Sequence, residues 1–251
     1  MHQSINRVGL LLLLIAGILS FTGFQSKPIE TIVSYTVDPK KQHLKFFWKD
    51  DRGTFIKSLQ NLKVYVEGKN AKLVFATNGG MFDSDGTPHG LFIQNKIKLT
   101  ELDTASGQGN FYLKPNGVFY LTENHVPVIC KTTEFKDHPS IQDATQSGPM
   151  LVADGQIHSA FKQGSTNVNI RNGVGILPDN NVVFAMSVNP INFYDFATYF
   201  QKLGCKNALY LDGVVSRTYW PEGNWIQTDG NFGVIIGVID KPIEHYPSKG
   251  N

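Results

Sequence analysis

The residue best suited to chemistry in this chain is Asp212. It ends a short apolar run, residues 208–211, stands directly before Gly213, and has Ser216 and Arg217 close behind it. A carboxylate delivered by a buried strand onto a glycine is one way to hold an acid in a cleft. An ordinary Asp-Gly turn, with the aspartate capping its own backbone, uses the same residues. Three further loops follow or precede strand-like segments. They are Asn78-Gly79-Gly80-Met81-Phe82, Gln146-Ser147-Gly148-Pro149 and Arg171-Asn172-Gly173-Val174-Gly175. Paired glycines after a strand imply a special backbone conformation, a close approach by a neighbour, or a plain turn. Metal-binding signals are weak by comparison. Asp83-Ser84-Asp85-Gly86 has the start of a calcium loop but lacks the later ligand spacing that ends in a glutamate, so it reads as a turn. The seven histidines form neither an H-x-x-x-H nor an H-E-x-x-H pattern, and His125, His138 and His158 stand singly, as structural or exposed residues do.

The elements that must position these residues sit in a chain of 251 residues, 41% hydrophobic and 18% charged, enough to build a globular core. Its 24 glycines and 17 phenylalanines suit a turn-rich, β-containing fold better than a helical bundle. A net charge of +2 is too small to point to nucleic acid or an anionic membrane as the main partner. His2 and Arg7 precede an apolar run, 8–18, with small and polar residues after it, the pattern of a secretory signal peptide. The run is shorter than the roughly 20 residues that a spanning helix needs. Residues 1–26 are therefore expected to be a signal peptide and 27–251 one domain, secreted or periplasmic, with no stable membrane anchor once the signal is cleaved. In that oxidising setting Cys130 and Cys205 could form one disulfide or remain two separate buried thiols.

Hydrophobic patterning then predicts short strands at 31–37, 44–48 and 73–77, a helix over 54–63 on the spacing of Phe55, Leu59 and Leu62, and a last strand within 231–240 before a loose tail. Between them lies a series of hairpins: 91–94 with 97–99, 111–113 with 118–121, a strand at 126–131, 150–153 with 156–158, and 173–177 with 182–188. One helix is clearly marked. Phe193, Phe196, Ala197, Phe200 and Leu203 make an apolar stripe, Asn192 and Asp195 fit a capping box, and Gly204 stops it. The fold class is α+β, a twisted, largely antiparallel or mixed sheet system with hairpins and a few packed helices.

Taken in order and at these separations, the four loops resemble those of the phosphodiester glycosidase family, which includes the lysosomal enzyme that uncovers mannose 6-phosphate by removing N-acetylglucosamine from a phosphodiester. The likeness covers roughly residues 73–220 and is closest to the bacterial secreted branch. One departure stands out: Val214-Val215 occupies places where many members have glycine. The resemblance implies cleavage between a sugar's anomeric carbon and a phosphate oxygen. Asp212 would stabilise the oxocarbenium-like carbon, attack it, or activate water, while Arg171 offers a planar fork of donors to phosphate oxygens. A phosphomonoester leaves as a stabilised anion, so a single carboxylate can suffice. Asn78 and Ser216 would hydrogen-bond sugar hydroxyls or phosphate oxygens. N–H groups around Gly79, Gly80 and Gly148 could form an anion nest, and Asn172 and Asp195 would line the substrate site. Asp195 is explained equally by capping.

The expected partner is thus a sugar phosphodiester or glycan, with no cofactor required. Two alternatives stay open on the residues alone. Tyr219, Trp220 and Trp225 could stack on sugar rings in a non-catalytic, envelope glycan-binding module. Asp83, Asp85 and Asp212 could hold a divalent metal in a phosphodiesterase that cuts the other P–O bond.

Overall fold

A computed structural model describes residues 31–213 and 215–243. The proposed signal peptide, Val214 and the end of the tail lie outside the described residues. In chain order the first elements are β1 (Ile32–Val37), β2 (His43–Phe47), α1 (Leu59–Gly68), β3 (Leu73–Asn78), β4 (Phe92–Gln94), β5 (Ile97–Thr100), β6 (Gly117–Thr122) and β7 (Pro127–Lys131). There follow β8 (Ile141–Ser147), β9 (Met150–Ala153), β10 (Gln156–Ile157), β11 (Asn172–Ile176), β12 (Val182–Ser187), α2 (Phe193–Lys202), β13 (Ala208–Tyr210), β14 (Thr218–Trp220), β15 (Trp225–Ile226) and β16 (Ile235–Ile239). The strands form three sheets, ordered β1-β12-β11-β13-β9-β10, β15-β14-β3-β16-β2 and β5-β4-β8-β6-β7. The strand pairs in them are antiparallel, as the run of hairpins predicts. The fold is therefore α+β and rich in sheet.

One apolar cluster joins the sheets. Phe184 of β12 lies 5.5 Å from Phe75 of β3 and 6.1 Å from Phe119 of β6, so each sheet contributes one ring to the centre. Such tilted and edge-on contacts between buried rings add to the burial of their large apolar area. The first sheet packs its other face on α2 through Phe193, Phe196 and Phe200, and α1 covers the second sheet through Leu59, Leu62 and Val66. Cys205 is buried and Cys130 half-buried; both are free thiols, each raised to about 11 by burial. The disulfide alternative is thereby set aside.

Helix α2 begins and ends where its sequence signals lie. The Asp195 N–H donates to Asn192 Oδ1 at 2.8 Å, and Asn192 Nδ2 returns a bond to the Asp195 carboxylate at 2.7 Å. At the other end the Cys205 N–H reaches the Phe200 carbonyl and Gly204 adopts φ +81°, a Schellman-type stop. Helix α1 differs from its expected span. It starts five residues later than predicted, at Leu59, because Ser58 caps it by accepting the Asn61 N–H at 3.1 Å. Phe55 instead bridges Lys49 across the preceding turn.

Other differences concern strands, the short β14 and β15 among those not expected from sequence. Residues 111–113 are not a strand, whereas β8, with no strand expected over its span, is the middle strand of the third sheet. Its sequence, Ile-Gln-Asp-Ala-Thr-Gln-Ser, carries one large apolar residue, yet Asp143, Thr145, Gln146 and Ser147 are all buried. Such a strand is tolerable only if its polar groups find partners. Gln146 does: its Oε1 accepts the N–H groups of Leu91 and Asp103, and its Nε2 donates to the Asp103 carbonyl and Thr132 Oγ1.

Candidate active site

The site forms where the first two sheets meet, at the C-terminal ends of β3 and β13 and the start of β11. Successive residues of a strand point to opposite faces, so β11 sends Asn172 toward the second sheet and Arg171, just before it, toward α2. Asn172 Nδ2 donates to the Asn78 carbonyl at 2.9 Å and to Asn78 Oδ1 at 3.1 Å. Its Oδ1 accepts the Asp212 N–H at 3.1 Å and the Ser216 hydroxyl at 3.3 Å. Asn78 completes the clasp: Nδ2 donates to the Asp212 carbonyl at 2.7 Å, and Oδ1 accepts the Arg217 N–H at 3.0 Å. The Ser216 hydroxyl also reaches the Gly213 carbonyl at 3.0 Å.

Four of the sequence-predicted residues, Asn78, Asn172, Asp212 and Ser216, thus belong to one network. Asn78 and Asn172 are each 1% exposed and Ser216 2%, so these hydrogen bonds are made out of water. Removing one partner would leave buried donors and acceptors unsatisfied, at roughly 1–3 kcal/mol per group. Two residues with no role assigned from sequence fix the flanks of the turn. Ser147 Oγ donates to the Leu211 carbonyl at 2.8 Å, and Thr77 Oγ1 to the Arg217 carbonyl at 3.0 Å. Ser147 lies inside one of the four loops, a signal that could have found it; Thr77 is a strand residue with no distinguishing pattern.

Arg171 is 1% exposed and lies on the α2 side of the sheet. Its Nε donates to the Ile191 carbonyl at 2.8 Å and its Nη2 to the Asn167 carbonyl at 3.0 Å, while the guanidinium carbon sits 3.5 Å over the Phe193 ring. Burial lowers its pKa, but a guanidinium starts so high that it stays charged. Arg171 is therefore not in the asparagine clasp. Tyr210, on the neighbouring strand, has the Arg171 guanidinium 5.7 Å from its ring centre.

The glycines serve close packing. A Cβ on Gly80 would lie 2.4 Å from Thr145 Oγ1 and 2.6 Å from the Gln146 carbonyl oxygen, so the chain after Asn78 is pressed against β8. On Gly213 it would fall 1.8 Å from the Tyr210 hydroxyl. The Gly79 N–H donates to the Val234 carbonyl at 2.8 Å, which engages one donor of the expected nest. Gly148 follows Ser147 and faces Asn116 and the Phe111 carbonyl. Asp195 is exposed and holds the α2 cap.

The residues of the two alternative readings are also placed. Asp83 pairs with His89 Nδ1 at 2.7 Å, and Asp85 accepts the Thr87 N–H at 2.9 Å. Among the described residues no three His, Cys, Asp or Glu side chains are grouped as a metal-binding set. Tyr219 is buried, Trp220 packs edge-on to Tyr35, and Trp225 Nε1 reaches Gln227.

Residues 71–238 match the family model described as phosphodiester glycosidase, two-thirds of the chain. The chain belongs to that family. It is 38% identical over 199 residues to the uncharacterized protein YigE of Escherichia coli strain K12, covering 79% of this chain and 78% of YigE. The fold is shared with the catalytic domain of zebrafish N-acetylglucosamine-1-phosphodiester alpha-N-acetylglucosaminidase, solved auto-inhibited by its pro-peptide. There the TM-score is 0.56 at 14% identity, over 86% of this chain and 85% of the other. A hypothetical protein from Synechocystis gives a TM-score of 0.52 at 13% identity, over 84% of this chain and 59% of that one.

Proposed function

We propose that the protein is an exported hydrolase that cleaves the bond between a sugar C1 and a phosphate oxygen in a sugar-1-phosphodiester, of the N-acetylglucosamine-1-phosphodiester kind. The observation that carries the reading is the clasp of Asn78, Asn172 and Ser216, which holds the backbone of Asp212 on both sides at the end of a buried strand. Family membership supplies the reaction class. The basic residues and apolar run that open the chain support export, to the periplasm or beyond the cell.

In the reaction, water adds to C1 and the C1–O bond breaks with its electron pair moving to the phosphate oxygen. The products are a free sugar and the phosphomonoester of the other alcohol, with one proton released. Asp212 is the reacting carboxylate, set against the positive charge that grows at C1. Two uncharged amides hold its turn, so they fix position without pairing with the carboxylate's charge. Arg171 contributes a positive field from behind Tyr210.

The test is to incubate the purified protein with a panel of sugar-1-phosphodiesters, a nucleotide sugar among them, with and without chelator, and to identify the products. Free sugar plus phosphomonoester is expected. Sugar phosphate would instead indicate a phosphodiesterase, and tight binding without turnover a glycan-binding module. Asp212→Asn should lower turnover about 1,000-fold with the fold retained, the scale of losing a reacting carboxylate. Full activity in that variant would remove Asp212 from the mechanism.

A further inference from the structure

Tyr210 stands between the two charged residues of the site, and neither the clasp nor the family assignment gives it a role. It ends β13, is 1% exposed, and alternates with Leu209 and Leu211, which point into the core between the sheets. Tyr210 itself faces α2, with its ring 4.9 Å from Phe193 in an edge-on contact. Arg171 is its diagonal neighbour, because Tyr210 pairs with Gly173, two residues along β11 from Arg171. The guanidinium carbon lies 5.7 Å from the Tyr210 ring centre.

The phenol hydroxyl fills the space under Gly213 that any Cβ would need, immediately beside Asp212. Burial, then Asp212, make it harder to ionise, whereas Arg171 and the Gly213 N–H pull the other way; burial prevails, so the hydroxyl keeps its proton. Arg171 and the Gly213 N–H thus act on its oxygen as positive groups. A phenol has one proton to give, and Asp212, two residues on in the chain, is the anionic group that acts on it.

We propose that Tyr210 is a positioning residue that directs its hydroxyl proton at the Asp212 carboxylate and couples the buried Arg171 charge to it. This rests on Asp212 being the reacting carboxylate. It also explains why position 213 holds glycine and why an arginine with donors engaged on the Ile191 and Asn167 carbonyls matters to chemistry. Arg217, which follows the turn, is paired with Asp229 at 2.8 Å, and Asp195 is engaged in the α2 cap.

Tyr210→Phe removes only the hydroxyl, and circular dichroism and the melting midpoint establish that the variant folds. Two readouts test the coupling. In turnover of a nucleotide sugar, kcat should fall about tenfold with KM within about twofold, the signature of an interaction made in the transition state. Tyr210→Phe and Arg171→Lys should also be strongly non-additive, the double variant losing about as much as the worse single one. Losses that multiply, or a kcat unchanged in Tyr210→Phe, would overturn the coupling. The second readout needs no activity: carboxyl-carbon NMR titration, with the Asp212 signal assigned by its absence in Asp212→Asn. The Asp212 midpoint should rise by about one unit in Tyr210→Phe, since a donor to the charged form is lost; an unmoved midpoint overturns the proposal. A wild-type protein that turns over none of the phosphodiesters would defeat the proposed activity, and the titration would still decide for or against Tyr210.

Discussion

Asp143 offers a quantitative test of the buried polar strand β8. It is 1% exposed, one carboxylate oxygen accepts the Asn95 N–H at 2.9 Å, and Oδ2 has no hydrogen-bond partner. Burial raises its pKa from the ordinary 3.8 to about 6, against the attraction of Lys45 and the Asn95 hydrogen bond. In the unfolded chain the carboxyl returns to its ordinary value. Between about pH 4 and 6 the folded state therefore binds more protons than the unfolded one, and linkage makes stability fall as pH rises. The penalty is absent below that window and complete above it. A shift of about two units corresponds to about 3 kcal/mol. Asp143→Asn removes the titration, although its amide also lacks an acceptor at the Oδ2 position. That second effect does not depend on pH, so it cancels when the variant is compared with wild type across pH. The assay is urea unfolding of both proteins from pH 4 to 8 at fixed ionic strength. The stability of the variant relative to wild type should increase by about 3 kcal/mol over the range and level off above pH 7. A difference that stays flat to within about 0.5 kcal/mol would refute the argument that Asp143 is buried as an uncompensated acid.

Two other substitutions probe the clasp and the helix that braces it. Asn172→Ala strips partners from Asn78, the Asp212 N–H and Ser216 at once, and should destabilise the fold by about 2–4 kcal/mol in urea unfolding. Turnover in that variant should be lost even below its melting midpoint, because the Asp212 turn is no longer held. Asn192→Ala removes the cap of α2 and should lower stability by about 1 kcal/mol while leaving KM unchanged.

How far the chain could be read depended on whether local pattern and tertiary environment agreed. Helix α2 is legible because its cap, stripe and stop all lie within its own sequence. The four loops are legible as a set because glycines and side-chain amides mark them, and three of them meet in the clasp, as the bonds from Asn172 to Asn78 and Asp212 show. Strand β8 is not legible. The partners of its polar residues are distant in sequence, such as Leu91 and Asp103 for Gln146, and hydrophobic periodicity cannot report those. The start of α1 was missed for a smaller reason: the apolar spacing of Phe55 continues the stripe backward, but Ser58 caps the chain after it. The orientation of Arg171 was hidden by strand parity. Adjacent residues in a loop look like neighbours, yet the start of β11 turns Arg171 and Asn172 to opposite faces of one sheet.

That parity bears on how the site keeps its electrostatics. The groups that fix the Asp212 backbone are amides and hydroxyls, which do not titrate near neutral pH and carry no net charge. In the reaction proposed above, an Arg171 turned into the clasp would offset the charge that Asp212 sets against the developing cation at C1. Arg171 lies instead on the far face, over Phe193, with its donors on backbone carbonyls. Tyr210 stands between that guanidinium and the Gly213 backbone that follows Asp212. Positioning and charge are thus supplied from opposite faces of one sheet. The same division relaxes what the turn itself requires: Val215 packs on the α1 cluster rather than entering the clasp, so the turn is secured by Asn78 and Asn172 from outside it.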